Sequence, residues 1–190
     1  MMGEIGIDAG FERGIDGIAD GSEVKAAALL GNRRMLVIYL TVLDRGTVFF
    51  KDLCPRDKDR ALRFTEDGVE KPLSYYTCAK RVGTLRDKLG IIRSVPYPGY
   101  AGRTAYRVTY EGREIAVRMR ALLARLMLKK RVARVEDGYA HVPAGDFEIV
   151  ARRDLGVDPD LVISALGLVE ENGFVRIPVR VEEERASFDM

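Results

Sequence analysis

The stretch from residue 74 to residue 90 constrains the fold more than any other part of this 190-residue chain. Ser74 is a favourable helix N-cap, and Gly90 is a typical helix terminator. Between them, apolar residues recur at spacings of four, three and four: Cys78, Val82, Leu85 and Leu89. The pattern predicts an amphipathic helix with one narrow buried side. The opposite side and its flank carry hydrogen-bonding and basic groups suited to a nucleic-acid groove: Tyr76, Thr77, Lys80, Arg81 and Thr84.

Two strand-type runs follow this helix. Residues 91–95 and 104–109 are rich in β-branched, aromatic and other strand-forming residues. The segment 96–103 between them combines Gly, Pro, Tyr and Arg without any acid. This order predicts an antiparallel hairpin with a basic, aromatic tip.

The region before the helix is less regular. An apolar stripe over residues 24–43 predicts helix, with Gly31-Asn32 as a candidate break. A short β-type run at 47–49 and a brief helical segment at 50–54 come next. Residues 55–72 fit no clear period, and we interpret them as one or two helical turns and a loop inserted before the amphipathic helix.

A long amphipathic helix is predicted from residue 111 to about residue 131. Its apolar stripe follows four-three-four spacing: Ile115, Met119, Leu122 and Leu126. A helix of roughly 20 residues spans about 30 Å, which is more than a small domain needs to cover. We therefore favour pairing with a second copy over packing on its own domain, so these four residues are the predicted contacts of a homodimer.

The formal net charge is only +2, but the charge is segregated along the chain. Residues 1–23 carry one Arg and six acids, a net charge of −5. Residues 24–135 carry 25 Lys and Arg and 10 acids, a net charge of +15. Residues 136–190 carry five Arg and 13 acids, a net charge of −8. A segment as basic as the middle one attracts polyanions through counterion release.

These differences also indicate a domain organisation. Residues 1–22 hold six glycines among acids and show no regular period, which predicts a flexible acidic arm. Residues 23–131 form the predicted basic domain, residues 136–182 a small acidic unit, and residues 183–190 a tail.

The acidic unit is predicted to contain a helix over residues 160–172, followed by an alternating strand. The run LVEENGFVRIPV echoes the earlier run LRDKLGIIRSVPY. An internal repeat and two independent helix-to-strand junctions explain this echo equally well. Because the helix would carry Asp160, Glu170 and Glu171 and no basic residue, it suits a protein partner, or docking against the basic domain of the same or a second chain, better than DNA.

The order helix, short strand, helix, helix, strand, glycine-rich tip, strand and long helix resembles the winged helix-turn-helix. The stretch LLGNRRMLVIYLTVLDRGTVFFKDL resembles the opening of archaeal and bacterial regulators of the arsenic-repressor and multiple-antibiotic-resistance type. The stretch LSYYTCAKRVGTLRDKLGIIRSV looks like their recognition helix and first wing strand, and GRTAYRVTYEGREIAVRMRALL like their second wing strand and last helix. The resemblance covers roughly residues 24–131. It implies an α+β, mainly helical fold with a winged helix and a long C-terminal helix, and the echo in the acidic unit predicts a second small helix-turn-helix-like unit there.

The resemblance also implies a DNA interface. A recognition helix in the major groove would direct Tyr76, Thr77, Lys80 and Thr84 toward base edges and phosphates, and Arg81 toward the backbone. The wing residues would reach an adjacent phosphate or the minor groove: Tyr97, Tyr100 and Arg103. The insert at 55–72 departs from the family pattern, since it replaces a short turn. It would either move the second helix or add basic contacts of its own: Arg56, Lys58, Arg60 and Arg63.

No catalytic constellation is apparent in the sequence. The single histidine, His141, stands alone in a predicted strand, and no phosphate-binding loop, dinucleotide fingerprint or metalloprotease motif is present. We therefore expect no enzyme and no cofactor. The enzymatic alternative is a metal-dependent nuclease that uses Asp57, Asp59 and Glu66.

The two cysteines, Cys54 and Cys78, are interpreted as reduced, partly buried thiols. The chain has no Gln and only two Asn, a composition typical of thermophiles, and in such an organism a Cys54–Cys78 bridge is the alternative. No apolar run approaches the roughly 18 residues that a membrane helix needs, and the N-terminus lacks a signal-peptide pattern. We therefore expect a cytoplasmic protein.

Together these patterns predict a homodimeric transcriptional regulator that binds double-stranded DNA in a sequence-specific manner. The alternative is an architectural or assembly protein of transcription, replication or chromosome machinery, in which winged-helix units serve mainly for protein contacts.

Overall fold

The computed structural model describes residues 21–96 and 104–180, and the fold over these ranges is α+β, as predicted. Seven helices are present there: α1 (Ser22–Leu30), α2 (Arg33–Arg45), α3 (Phe50–Leu53), α4 (Tyr75–Gly83), α5 (Tyr110–Lys129), α6 (Ala144–Val150) and α7 (Pro159–Leu166). Three small antiparallel sheets are built from nine strands: β1 (Thr47–Phe49), β2 (Arg63–Glu66), β3 (Val69–Pro72), β4 (Ile92–Pro96), β5 (Thr104–Val108), β6 (Arg134–Glu136), β7 (Tyr139–Pro143), β8 (Val169–Glu171) and β9 (Phe174–Pro178). The predicted acidic arm and tail fall mainly on residues 1–20 and 181–190, which lie outside the described residues.

The basic half contains the elements that the sequence predicts, in the predicted order. Helices α1 and α2 are separated at Gly31-Asn32, and the Asn32 side chain caps α2 by accepting a hydrogen bond from the Met35 amide. The first sheet has the strand order β1-β5-β4, so the strand nearest the N-terminus pairs with the last one. The predicted hairpin of β4 and β5 is confirmed.

The insert at 55–72 differs from its predicted helical turns and loop. After a short 3-10 turn at Lys58–Arg60, β2 and β3 form an antiparallel hairpin. Its turn residues, Asp67 and Gly68, have φ angles of 56° and 75°. An Asp-Gly pair with two left-handed residues is the favoured two-residue hairpin turn, because its twist matches that of the flanking strands. The Asp-Gly pair is therefore the sequence signal for this hairpin, since residues 55–72 show no clear apolar period.

This hairpin connects the basic half to the acidic half. The Thr65 amide donates to the Gly156 carbonyl at 2.7 Å, and Arg33 Nη1 donates to the Thr65 carbonyl at 3.2 Å. A Cβ on Gly156 would lie 2.5 Å from the Thr65 oxygen, and its φ of 70° also favours glycine. The insert therefore has a structural role, since it holds the two halves together through backbone contacts.

The acidic half has a four-stranded sheet of order β6-β7-β9-β8, preceded and interrupted by helices. The predicted helix over 160–172 is too long, because α7 ends at Leu166 and Gly167 is left-handed. Glu170 and Glu171 instead lie in β8, and Asn172-Gly173 forms a hairpin turn with φ angles of 53° and 78°. The Asn-Gly pair, a strong hairpin signal, here ends a strand and not a helix.

The two halves share a topology. The sequence similarity between LVEENGFVRIPV and LRDKLGIIRSVPY does not align its equivalent elements. In both halves, a helix leads through a left-handed glycine into a hairpin whose second strand pairs with the strand before the helices, giving the orders β1-β5-β4 and β7-β9-β8. The equivalent junctions are residues 89–92 (LGII) and residues 166–169 (LGLV). Pairing LVEENGFVRIPV with LRDKLGIIRSVPY is therefore wrong, since it matches a hairpin to a helix-to-strand junction.

The two halves pack around one continuous apolar core. Helix α7 lies against α2, and the Ser164 hydroxyl donates to Asp44 of α2. The core draws on both halves, from Leu36 and Leu85 to Phe147 and Ile177. The acidic unit therefore docks against the basic domain of the same chain. This is one of the alternatives that the sequence left open.

Helix α5 is part of that core. It packs against α1, β7 and β9, and Ile115 and Met119 are 0% exposed. Leu122 and Leu126 are half-buried against the same cluster. The prediction that these residues form a dimer interface is wrong for Ile115 and Met119, because a helix that covers both halves of its own chain has no bare apolar stripe there. The length that we attributed to dimerisation serves to span the two halves.

Cys54 and Cys78 are joined by a disulfide, so the interpretation as two reduced thiols is wrong. The residue that follows α3 and the first turn of α4 lie side by side, with the two Cα atoms 5.5 Å apart. This separation is within the range that a disulfide requires. The bridge ties the predicted recognition helix to the segment before the insert.

Within the described ranges, no single helix is both long and apolar enough to cross a membrane, although α1 and α2, which meet at 112°, pass that test of length and composition as a bent pair.

Candidate nucleic-acid interface

Helix α4 begins and packs as its sequence predicts. The Ser74 side chain caps the helix by accepting a hydrogen bond from the Thr77 amide at 3.3 Å. The helix continues as a π-turn over Thr84–Lys88, and the Leu89 amide donates to the Thr84 carbonyl. The four residues of the predicted apolar stripe are buried: Cys78, Val82, Leu85 and Leu89.

Replacing Ser74 with alanine should destabilise the protein by about 1 kcal/mol, the usual cost of losing a side-chain N-cap. Urea denaturation followed by circular dichroism measures the change. Ser94→Ala is the matched control, because Ser94 is exposed in β4 and should lose less than about 0.5 kcal/mol. Equal losses in the two variants would contradict a capping role for Ser74.

The exposed side of α4 contains only part of the predicted interface. Tyr76 is 84% exposed, Lys80 is exposed and Thr77 is half-buried. Arg81 and Thr84, however, are each only 6% exposed. Arg81 lies about 60° from Cys78 at 100° per residue, so it falls on the shoulder of the buried stripe. The Thr84 hydroxyl donates back to the Lys80 carbonyl at 3.2 Å, which holds it against the helix. The assignment of Arg81 and Thr84 to the interface is therefore wrong.

Gly83 and Asp87 also contribute to this exposed surface. A Cβ on Gly83 would meet no atom closer than Asp87 Oδ2 at 4.0 Å, so helix backbone is bare at that point. Asp87 accepts hydrogen bonds from Arg86 Nε and Nη2 at 2.6 and 2.7 Å, and hydrogen bonding to Arg86 lowers the pKa of Asp87. The exposed side of α4 thus combines Tyr76 and Lys80 with uncovered helix backbone at Gly83. In the π-turn that follows, the carboxylate of Asp87 is paired with Arg86.

The outer face of the first sheet carries a feature that sequence reasoning missed. Arg93 in β4 and Arg107 in β5 are directly opposite each other in the strand register, and both are exposed. Like charges directly opposite on adjacent strands are destabilising. In each strand, the expected alternation of exposed and buried positions indicates that the arginine is exposed. Only the register between the two strands shows that the arginines are opposite each other.

Two further arginines border the same face. A cavity of about 330 Å³ beside β1 is lined by Arg45, Arg107 and Arg113 together with Thr47, whose hydroxyl accepts from Arg107 Nε at 3.0 Å. We call these four residues the arginine cluster: Arg45, Arg93, Arg107 and Arg113. Among the residues that the structure describes, none of the four has an acidic partner within ion-pair distance.

The basic residues of the insert mostly have partners within the chain. Arg63 lies 3.2 Å from Glu70, Arg60 lies 3.7 Å from Asp52, and the Arg56 guanidinium lies 5.4 Å from the centre of the Tyr75 ring. Lys58 is exposed in the 3-10 turn. Intrachain pairs therefore engage three of the four insert cations that the sequence offered as additional DNA contacts.

Two of the three carboxylates in the nuclease alternative, Asp57 and Glu66, are engaged by other residues of the chain. Glu66 forms ion pairs with Lys71 at 2.8 Å and with Arg34 at 3.3 Å, and the hydrogen bond from Lys71 lowers the pKa of Glu66. Asp57 caps the 3-10 turn through the Asp59 amide. Within residues 21–96 and 104–180, no group of three or more His, Cys, Asp or Glu side chains is placed to hold a metal ion.

Tyr97, Tyr100 and Arg103, at the hairpin tip, lie outside the described residues. The strands on either side end at the pair Pro96 and Thr104. His141 is half-buried in β7, beside Arg176 of β9 in the strand register.

No family model, no curated protein and no solved structure matches this chain. The candidate interface therefore rests on its own geometry.

Proposed function

We propose that the protein binds double-stranded DNA through α4 and the arginine cluster, and that it acts as a transcriptional regulator of the winged-helix kind. The observation that carries the proposal is the cross-strand pair of Arg93 and Arg107, exposed beside each other without an acidic partner in the described part of the chain. Such a pair costs stability in the free protein. An anion bound between the two guanidinium groups removes that repulsion, and the phosphate backbone of DNA supplies such anions in a regular row.

The arrangement of elements supports this proposal. The order of elements and the sheet are those expected of a winged helix-turn-helix. The elements follow one another as α2, β1, α3, α4, β4, β5 and α5, and the sheet has the order β1-β5-β4. In that pattern α4 is the recognition helix, and a helix of this width fits the major groove. Tyr76 and Lys80 would then contact base edges or phosphates, while Gly83 lets the helix backbone approach the groove closely.

The proposal divides the work between the two surfaces. Contacts to phosphate position a protein on DNA without reading its sequence, whereas contacts to base edges specify the sequence. We assign positioning to the arginine cluster and sequence reading to Tyr76, Thr77 and Lys80.

Replacing Arg93 and Arg107 with alanine together should weaken duplex binding by roughly 10-fold or more, because each charged contact is worth above 1 kcal/mol. The slope of log affinity against log salt should fall by about two, one for each lost phosphate contact. Fluorescence anisotropy with a labelled duplex at about 50 to 200 mM salt measures both quantities.

The matched control is Arg152→Ala with Arg153→Ala, which makes the same change in net charge on the acidic half, where both residues are exposed. This control should change affinity by less than about twofold. No duplex binding by the unaltered protein at about 50 mM salt, or an equal loss in the control, would overturn the proposal.

One observation favours the alternative, an assembly protein. The acidic half exposes several large apolar side chains: Val135, Ile149, Val169 and Phe174, each between 41% and 56% exposed. Single exposed apolar residues are ordinary on protein surfaces, so this observation ranks below the arginine pair. Absence of duplex binding in the experiment above would make this the preferred function.

A further inference from the structure

A cleft of about 720 Å³ lies between α5, the end of α7 and the four-stranded sheet of the acidic half. Three arginines line it, Arg120 from α5 and Arg176 and Arg180 from β9 and the residues after it, with Asp137 as the one acid in the lining. Two of these arginines, Arg176 and Arg180, lie within residues 136–190, whose net charge is −8, so the overall charge of that segment does not explain them.

Two of the three arginines are incompletely hydrogen-bonded by the described residues. The Nε atoms of Arg120 and Arg176 are shielded from solvent and have no hydrogen-bond partner within the described residues. The same holds for Nε2 of His141, the neighbour of Arg176 across the β7–β9 pairing.

The few partners these arginines have do not neutralise them. Arg176 lies with its guanidinium 4.6 Å from the Tyr139 ring centre, and its Nη1 is 3.8 Å from Glu171, at the limit of an ion pair. Over the described ranges, Arg120 and Arg180 have no acid within ion-pair distance. A Cβ on Gly167 would lie 3.8 Å from Arg120 Nη2, so the guanidinium is held beside the end of α7.

The rest of the lining is apolar. Val117 of α5, Val135 of β6, Val169 of β8 and Pro178 of β9 border the same space as the Tyr139 ring. The volume is within the range of small-molecule sites, which combine an apolar wall with a few polar groups that orient the ligand.

From this juxtaposition we propose that the cleft binds a small organic anion, with a carboxylate or phosphate group held by Arg120, Arg176 and Arg180 and a planar or apolar part against Tyr139 and the valines. Guanidinium groups suit both anions, since each can accept two parallel hydrogen bonds. This site is separate from the arginine cluster and does not depend on DNA binding.

The test is a thermal unfolding series with phenyl phosphate, benzoate, inorganic phosphate and benzyl alcohol as probes. We expect phenyl phosphate or benzoate to raise the unfolding midpoint with increasing concentration, as mass action requires of a ligand that binds the folded state. The comparison of these two probes distinguishes a phosphate from a carboxylate ligand. Inorganic phosphate and benzyl alcohol, which each lack one half of the proposed chemistry, should protect less.

Arg120→Gln should raise the dissociation constant of the protecting probe by about 10-fold or more, because one charged contact is lost. Calorimetry measures the change. Arg118→Gln, two residues away on α5 and outside the cleft lining, should leave that constant unchanged. Arg176→Gln is the second test variant. The unliganded Arg120→Gln protein should unfold at the same temperature as the parent or higher, because an unpartnered buried group is removed.

Three outcomes would overturn the inference. One is protection by neither aromatic anion, and a second is an equal loss in Arg118→Gln. Protection that disappears in Arg93→Ala with Arg107→Ala would also overturn it, by locating the anion at the arginine cluster instead. Because that double variant leaves the cleft intact, failure of the DNA proposal and failure of this one are distinguishable.

Discussion

Replacing Gly112 with alanine should destabilise the protein by about 3 kcal/mol, at the upper end of the usual cost of overpacking. A Cβ at this position would lie 2.3 Å from the Ile91 carbonyl oxygen and 2.5 Å from Val108 Cγ1. The first of these is a backbone atom that accepts a hydrogen bond from the Thr109 amide, so it cannot turn aside as a flexible side chain would.

The surroundings of Gly112 resist any compensating shift. The Gly112 amide donates to Thr109 Oγ1 at 3.0 Å, and the Gly112 carbonyl accepts from the Tyr39 hydroxyl at 2.5 Å. Burial raises the pKa of Tyr39 above its ordinary value, so this hydroxyl remains a donor over the pH range in which proteins are usually studied. Moving α5 away from Ile91 would break the hydrogen bond that the Thr109 amide donates to Ile91 and disturb the one from the Tyr39 hydroxyl.

Gly83→Ala provides the matched control, since both glycines lie in helices and receive the same methyl group. Gly83 faces open space, so alanine there should stabilise the protein by about 0.5 to 1 kcal/mol through its better helix propensity. Urea denaturation of the two variants measures the contrast. A destabilisation of less than about 1 kcal/mol for Gly112→Ala would show that α5 is not held as closely as the structure has it.

The second large effect concerns the bridge between Cys54 and Cys78. These cysteines are 24 residues apart, and a cross-link that closes a loop of this length stabilises a protein by about 3.5 kcal/mol in the chain-entropy model. Replacing both with alanine should therefore lower the free energy of unfolding by about this amount. The loop contains the insert hairpin, so the loss should also loosen the attachment of α4 to the segment before it.

Reductant supplies the control for this prediction. Dithiothreitol should lower the unfolding midpoint of the parent protein and leave that of Cys54→Ala with Cys78→Ala unchanged. The same midpoint for the parent with and without reductant, together with free thiols in the native protein, would contradict the presence of the bridge.

Local sequence signals predicted much of the fold. The Ser74 cap, the apolar spacing of α4 and the left-handed Gly90 determine where that helix lies and which side it buries. These features act over a few residues, so they are legible without knowledge of the partner surface.

Two of the predictions that were wrong concern hairpins whose turn residues signal them. Within the described ranges, three two-residue hairpin turns each place a residue with φ > 0 before a glycine, at Asp67, Asp137 and Asn172. Asp67 lies in the insert, which shows no clear apolar period, and Asn172 lies in the segment whose apolar spacing predicts a helix. A helical interpretation of residues 160–172 followed from that spacing, although Asn-Gly is a hairpin signal in its own right.

The candidate interface illustrates the same limit. Tyr76 and Lys80 were identified from helical projection alone, because exposure on an amphipathic helix follows its period. Arg81 and Thr84 were misassigned, because burial at the shoulder of a stripe depends on what packs there. The pair of Arg93 and Arg107 was missed because only strand register brings two residues 14 positions apart side by side.

The sequence by itself determined the helix at 74–90, the hairpin after it, the long helix before the acidic half and the segregation of charge, since each is written in neighbouring residues. Only the tertiary structure decided that α5 is buried within its own chain, that the insert joins the two halves through Gly156, that Cys54 meets Cys78, and that the arginines gather in a cluster and a cleft. Those features depend on packing between segments far apart in sequence, and each follows from the shape of both partners together rather than from either stretch alone.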